Sequence, residues 1–334
     1  MPPRWDELWL LVVVTVIPCR GGELRILAPH DHSEPRSGYV GLKGSGPALT
    51  ALQIWDGNRF IRDIQTRASG HFDCVLRLNP GEHQIFVRTG GTGESIAQGI
   101  HIRVRPFPEP AGAQEYEKLQ QADILLSQTP GSEQVQLYGA AYTHAALYLG
   151  PDEDGTPLIA EAATPEQENF KDRIGALPIE ETLNVLRGGV AHVYRLPGEL
   201  SDPERDQIID WTLRTLSGHV AFWSMTEDLG PFFRAWLLWD PGRDQPRNQP
   251  EFDRVLDELR ALRSATDRLN CTTLVYQAYW RGTNGRVDLS TPNRVNFGGS
   301  VGKMSHRFLE RLRPDFMVPD TLALSGKLVR VGTE

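Results

Sequence analysis

Three residue types in this chain could together carry out nucleophilic acyl chemistry: a cysteine, a histidine and a carboxylate. Cys271 lies in "RLNCTTLVYQAYWRG", where Asn270 can cap a helix whose first turn holds the cysteine. Unsatisfied N–H groups and the helix dipole favour an anion at that position, so the thiol pKa should fall. The same N–H groups could hold a substrate oxyanion. The alternative is a buried, inert helix cysteine. His144 opens the alternating run "YTHAALYLG", in which His144, Ala146 and Tyr148 share one face of a strand. Histidine has the right pKa to exchange a proton near neutrality, and the small alanines beside it leave room for a reactant. The alternative is a core histidine with a structural partner.

The third group follows from a turn. "GPDEDG" separates "YTHAALYLG" from "TPLIAEA". If Pro151 to Asp154 form a four-residue hairpin loop, Glu161 falls directly opposite His144. A carboxylate there would fix the imidazole tautomer and stabilise the imidazolium. One residue of slip would turn Glu161 to the other face. A solvent-exposed strand glutamate is the competing reading, opposed by the apolar neighbours Ile159, Ala160, Ala162 and Ala163.

Other histidines compete for the cysteine. His219 and His306 lack a strand of small residues and a facing carboxylate, and His192 in "VAHVYRL" alternates with apolar residues as a structural histidine does. No His/Cys/Asp/Glu group shows zinc spacing, and no glycine loop for phosphate is present, so no cofactor is expected.

The elements that must position these residues fall into two halves of a chain of 334 residues, enough for about two domains. From 23 to 105, "ALQIWDG", "FDCVLRL", "HQIFVRT" and "GIHIRVRP" read as short strands separated by turn signals, a small antiparallel sandwich. Cys74 belongs to its core. "RPFPEPAGAQ" supplies a proline-rich linker over 106–114. From 115 to 334 the pattern mixes strands with helices and predicts an α+β domain. A short polar helix is expected in "QEYEKLQQ", and strands in "ADILLSQ", "THAALYLG", "PLIAEAA" and "VAHVYRL". Helices are expected in "SDPERDQIIDWTLRTLSG", "EFDRVLDELRALRSATDR" and "CTTLVYQAYWRG". Ser201 and Glu204 fit a capping box, or Asp202 caps with Pro203 at the first helical position; Ile208, Ile209, Leu213 and Leu216 form the buried stripe and Gly218 can end the helix. In the second helix Phe252, Val255, Leu256, Leu259 and Leu262 share a face.

The net charge of −8 argues against a nucleic-acid binder. "LWLLVVVTVIPC", Leu8 to Cys19, is too short to span a bilayer comfortably and suits an export signal over 1–22. "VIPC" looks somewhat like a lipobox with Cys19 as the lipid-bearing residue, although Pro18 departs from the usual small residue. Export to the periplasm or cell envelope is therefore expected. The alternatives are a buried N-terminal strand and a wrongly placed start.

"ADILLSQ", "YTHAALYLG", "PLIAEA", "GGVAHVYRL", "CTTLVYQAYW" and "VPDTLALSGKLVRV" occur in an order that resembles the YiiX-like permuted papain-fold cysteine hydrolases, relatives of NlpC-type amidases and lecithin:retinol acyltransferase. The resemblance runs from about Gln121 to Val331. It implies a permuted papain-like domain with Cys271 as nucleophile, His144 as base and Glu161 as acidic partner. It also implies a peptide, glycopeptide or lipid substrate, and Asp123 matches a structural position. Ala122 stands where the family usually has glycine, Thr143 replaces a serine, and Thr273 replaces a glutamate. "SGHFDCVLRLNPGEHQIFVRT" resembles the closing strands of bacterial immunoglobulin-like modules. Two functions stay open: an exported cysteine hydrolase or acyltransferase, and a non-catalytic scaffold anchored to a surface. The insert 219–251, with Phe222, Trp223, Phe232, Phe233, Trp236 and Trp239, could line a groove, lie on a membrane or pack as a small subdomain.

Overall fold

The computed structural model describes residues 22–35, 38–90, 97, 99–105, 116–128, 141–162, 174–179, 190–198, 200–217, 221–222, 225–264, 268–290, 308, 311 and 319–331. The expected export signal with Cys19 (but for Gly22), the expected linker 106–114, His219, His306, Trp223 and Gly218 lie outside them. The described chain mixes helix and antiparallel sheet, an α+β arrangement.

The first half forms two antiparallel sheets around one apolar core. β1 (Arg25–Ala28), β2 (Tyr39–Ser45) and β5 (His71–Arg77) make a three-stranded sheet in the order β1-β2-β5. β3 (Ala51–Asp56), β4 (Arg59–Gln65), β6 (Gly81–Thr89) and β7 (Ile100–Val104) make the other, in the order β4-β3-β6-β7. Alternation builds the core: Val40, Leu42, Cys74 and Leu76 from one sheet meet Leu52, Ile54, Ile85, Val87 and Ile102 from the other. β4 pairs with β3, whereas the immunoglobulin constant-type arrangement places its fourth strand on the opposite sheet. Cys74 is a free, buried thiol pushed up to about 12 by burial, so it is unreactive.

The second half is built on a six-stranded antiparallel sheet. β8 (Ile124–Gln128), β9 (His144–Pro151), β10 (Pro157–Ala162), β11 (Ile174–Pro178) and β12 (Val190–Arg195) lie in the order β11-β10-β9-β8-β12, and β17 (Val329–Arg330) completes the edge. Between β12 and β17 come two short pairs: β13 (Ala221–Phe222) runs parallel to β16 (Arg268–Leu269), and β14 (Trp239–Asp240) antiparallel to β15 (Gln245–Pro246). The helices are α1 (Asp202–Ser217), α2 (Met225–Leu238), α3 (Gln249–Ser264), α4 (Cys271–Gly282) and α5 (Pro319–Ala323).

Several expectations need correction. "QEYEKLQQ" yields only one 3-10 turn, Tyr116–Lys118. Ser201 and Glu204 do form the capping box: Ser201 N–H donates to the Glu204 carboxylate, and Glu204 N–H faces Ser201 Oγ at 3.4 Å. In α1, however, Leu213 is exposed and Thr212 is buried in its place, because the packed face continues from Ile208 at an i+4 step. Thr212 tolerates burial by donating its hydroxyl to Ile208 O at 2.7 Å. The insert aromatics split. Phe232 and Trp239 are buried with Phe252 and Phe308, as in a small packed subdomain, while Phe233 and Trp236 are about half exposed.

The sheet of the second half is covered on both faces. Ala145, Leu147, Leu149, Ala160 and Ala162 pack with α1 and α4 residues such as Ile208, Leu274, Val275 and Ala278. Ala146, Tyr148, Ile159 and Val193 pack instead with Tyr39 and Val75 of the sandwich. Polar contacts join the layers: Gly41 N–H donates to Gly155 O at 2.7 Å, Gln121 N–H to Asp73 at 3.1 Å, and Ser69 N–H to Asp202 at 2.8 Å. The sandwich is thus docked on the sheet, and the backbones approach closely. A Cβ on Gly41 would lie 2.3 Å from Pro151 Cβ. No described helix is long and apolar enough to cross a membrane.

Candidate active site

Cys271 sits where its local sequence demands. Asn270, in extended conformation, accepts the N–H of Thr273 at 2.8 Å, and Thr273 Oγ1 accepts the N–H of Asn270 at 2.8 Å. This reciprocal box uses Thr273 where the resembled family has a glutamate, and the threonine does the capping with a shorter side chain. Capping ties up the N–H of Thr273, and Leu274 N–H bonds Asn270 O. The N–H groups of Cys271 and Thr272 begin the helix and point out of its positive end.

The Cys271 sulfur is buried. Burial raises its pKa, but the His144 charge and hydrogen bond, the Ala145 N–H and the Thr272 hydroxyl at 3.8 Å outweigh it, so the thiol pKa is lowered. His144 shows the complementary behaviour. Burial disfavours its cation, but the Cys271 sulfur and Glu161 favour it more strongly, raising its pKa to about 10. Each group therefore favours the charged form of the other.

Glu161 completes the group: its Oε2 lies 2.9 Å from His144 Nε2. The side chain is buried, with Oε1 lacking a hydrogen-bond partner among the described residues. The predicted register was out by two residues. Glu161 pairs with Ala146 rather than His144, because Pro151 belongs to β9 and a bulge falls between Leu158 and Ile159. The turn spans 152–156, where Asp152 N–H bonds Thr156 O at 2.9 Å and the Asp152 side chain accepts the N–H groups of Asp154 and Thr156. A shift of two keeps the face, so Glu161 still reaches the imidazole diagonally. The room predicted beside Ala146 is filled by the docked sandwich.

One support escaped the sequence reading. Asp320, at the start of α5, accepts the N–H groups of Ala141 at 2.9 Å and Tyr142 at 3.2 Å, fixing the chain just before His144. Its sequence neighbours give no hint, since the contact spans 179 positions. Ala122 adopts φ +70°, a region that favours glycine. Asp123 is buried and grips Arg195 through two contacts of 2.7 Å, the structural role expected of it. His192 hydrogen-bonds the Tyr142 hydroxyl at 2.8 Å, consistent with its reading as structural.

No family model and no curated protein matches this chain. Among solved structures it is similar to the fibronectin(III)-like modules of Clostridium thermocellum CbhA, at 11% identity and a TM-score of 0.21, over 25% of this chain and 94% of that one; a likeness of that size carries no argument.

Proposed function

We propose that this chain is an exported cysteine hydrolase that cleaves an amide or ester through Cys271, His144 and Glu161. The observation that carries the reading is the placement of His144, whose Nε2 lies 2.9 Å from Glu161 Oε2 and whose cation and the Cys271 thiolate favour one another. The order of the elements, histidine strand before cysteine helix, supports the resemblance to the permuted papain-like hydrolases. The two-sheet sandwich supports an immunoglobulin-like module ahead of it.

In this mechanism the Cys271 thiolate attacks the substrate carbonyl carbon, forming a C–S bond while the C=O electrons move to oxygen. The oxyanion is held by the N–H of Cys271 at the positive end of α4. The His144 imidazolium protonates the leaving nitrogen or oxygen as that bond breaks. The neutral imidazole then takes a proton from water, whose oxygen attacks the acyl carbon, and the thiolate leaves. Glu161 orients the ring and stabilises its charged form throughout. Peptidoglycan peptides and lipid acyl groups both present a suitable carbonyl, and transfer to a second acceptor in place of water is the variant nearest to this chemistry.

Trapping tests the reading. Incubation with cell-wall and lipid extracts should leave an acyl adduct on Cys271, detected by mass spectrometry and absent from Cys271→Ala. If Cys271 alkylates at pH 6 to 7 no faster than a free thiol and no adduct forms, the hydrolase reading fails and a scaffold remains.

A further inference from the structure

The sandwich brings the adjacent Asp31 and His32 together with His101, some 70 residues on, as a cluster of metal-ligating side chains. Asp31 and His32 lie after β1, and His101 lies on β7. One ligand atom from each lies within 4.8 Å of those of the other two. His32 Nε2 is 3.5 Å from Asp31 Oδ2, and His101 Nδ1 is 3.5 Å from Asp31 Oδ1. Donors bound at about 2.0–2.1 Å around a tetrahedral ion stand roughly 3.3 Å from each other, and each imidazole nitrogen already lies near that spacing from one oxygen of the Asp31 carboxylate.

The backbone holds the three together. His32 N–H donates to His101 O at 2.6 Å, Arg103 N–H to Ser33 O at 3.0 Å, and His101 N–H to Asp31 Oδ1 at 2.7 Å. Segment 31–33 thereby runs as a short parallel extension along β7, with an isolated bridge between Ser33 and Ile102. The two imidazoles stack with centroids 5.6 Å apart and planes 13° from parallel. All three side chains are about half exposed or more, so solvent can fill the remaining coordination positions.

We infer that Asp31, His32 and His101 form a surface site for a borderline divalent cation such as Zn²⁺, with two nitrogen donors and one carboxylate donor. Imidazole with carboxylate suits zinc and its neighbours better than the all-oxygen preference of calcium or magnesium. The bound ion would tie the loop after β1 to β7. The same loop bonds the β9–β10 hairpin through His30 N–H to Glu153 O at 3.0 Å.

The test is calorimetric titration of Zn²⁺ into the untagged protein, wild type and Cys271→Ala, the latter to remove the Cys271–His144 pair as a rival thiolate site. One-to-one binding is expected in both. It should vanish in His32→Gln and in His101→Gln, because each variant removes one of the two imidazole donors. Ca²⁺ should not substitute. Absence of saturable binding, binding lost in Cys271→Ala, or binding retained in both histidine variants would each overturn the site. These outcomes leave the hydrolase reading untouched.

Discussion

Glu161 faces Ala146 across the β9–β10 ladder yet bonds His144, two residues away, with 2.9 Å between Oε2 and Nε2. Under the proposed mechanism the diagonal contact has a direct consequence for rate. Glu161→Gln keeps an acceptor oxygen but removes the negative charge that favours the imidazolium. The expected loss in kcat/KM is roughly 100-fold, against at least about 10⁴-fold for Cys271→Ala, since the nucleophile has no substitute. Steady-state kinetics on the trapped substrate class would measure both.

The pH dependence of Cys271 alkylation should expose the coupling of Cys271 with His144. A thiol pKa lowered by His144 keeps the thiolate present below the ordinary value of about 8.5, and a histidine raised to about 10 keeps the imidazolium present up to that pH. Between these limits the alkylation rate should be flat. In His144→Ala burial acts on the thiol without its principal opponent, so the midpoint should move up past that of a free thiol. A midpoint left in place would remove His144 from the site.

Asp320 is expected to act through the backbone. Asp320→Ala frees the N–H groups of Ala141 and Tyr142 and loosens the entry to β9. As a positioning residue it should lower kcat about tenfold while leaving the pH midpoint of Cys271 alkylation nearer to wild type than His144→Ala does. Asp320→Asn, which retains one acceptor oxygen, should recover part of the loss.

Asp123 should matter to stability and not to chemistry. Asp123→Asn leaves Arg195 largely buried against a neutral partner, which costs roughly 3 kcal/mol. Urea unfolding would read this as a lower midpoint with an unchanged slope.

Docking of the sandwich has its own test. In Gly41→Ala the new Cβ would meet Pro151 Cβ at 2.3 Å and its Cα at 3.2 Å, at a hairpin end fixed on both sides. Overpacking of this kind costs about 1–3 kcal/mol. Thermal unfolding should fall accordingly, and limited proteolysis should separate the halves sooner than in wild type.

The local features of the site were legible because they depend on near neighbours. Asn270 before an apolar helix is a cap wherever that helix packs, and a cap sets the orientation of Cys271. Strand alternation assigned Glu161 and His144 to one face, and a register error of two preserved that assignment because the side-chain period is also two. Leu213 was misplaced since hydrophobicity alone does not tell a partly solvated helix flank from the packed face, and the threonine beside it hides its hydroxyl in an i−4 bond. The bulge at Leu158 and Ile159, the anchoring by Asp320 and the meeting of His32 with His101 join residues far apart in sequence or depend on how strands pack, and no local spacing encodes them. The sequence by itself determined the chemical types, the helix cap and the shared strand face. The tertiary structure alone decided which atoms touch, because burial and long-range backbone pairing bring Cys271 to His144 and close the sheet beneath the sandwich.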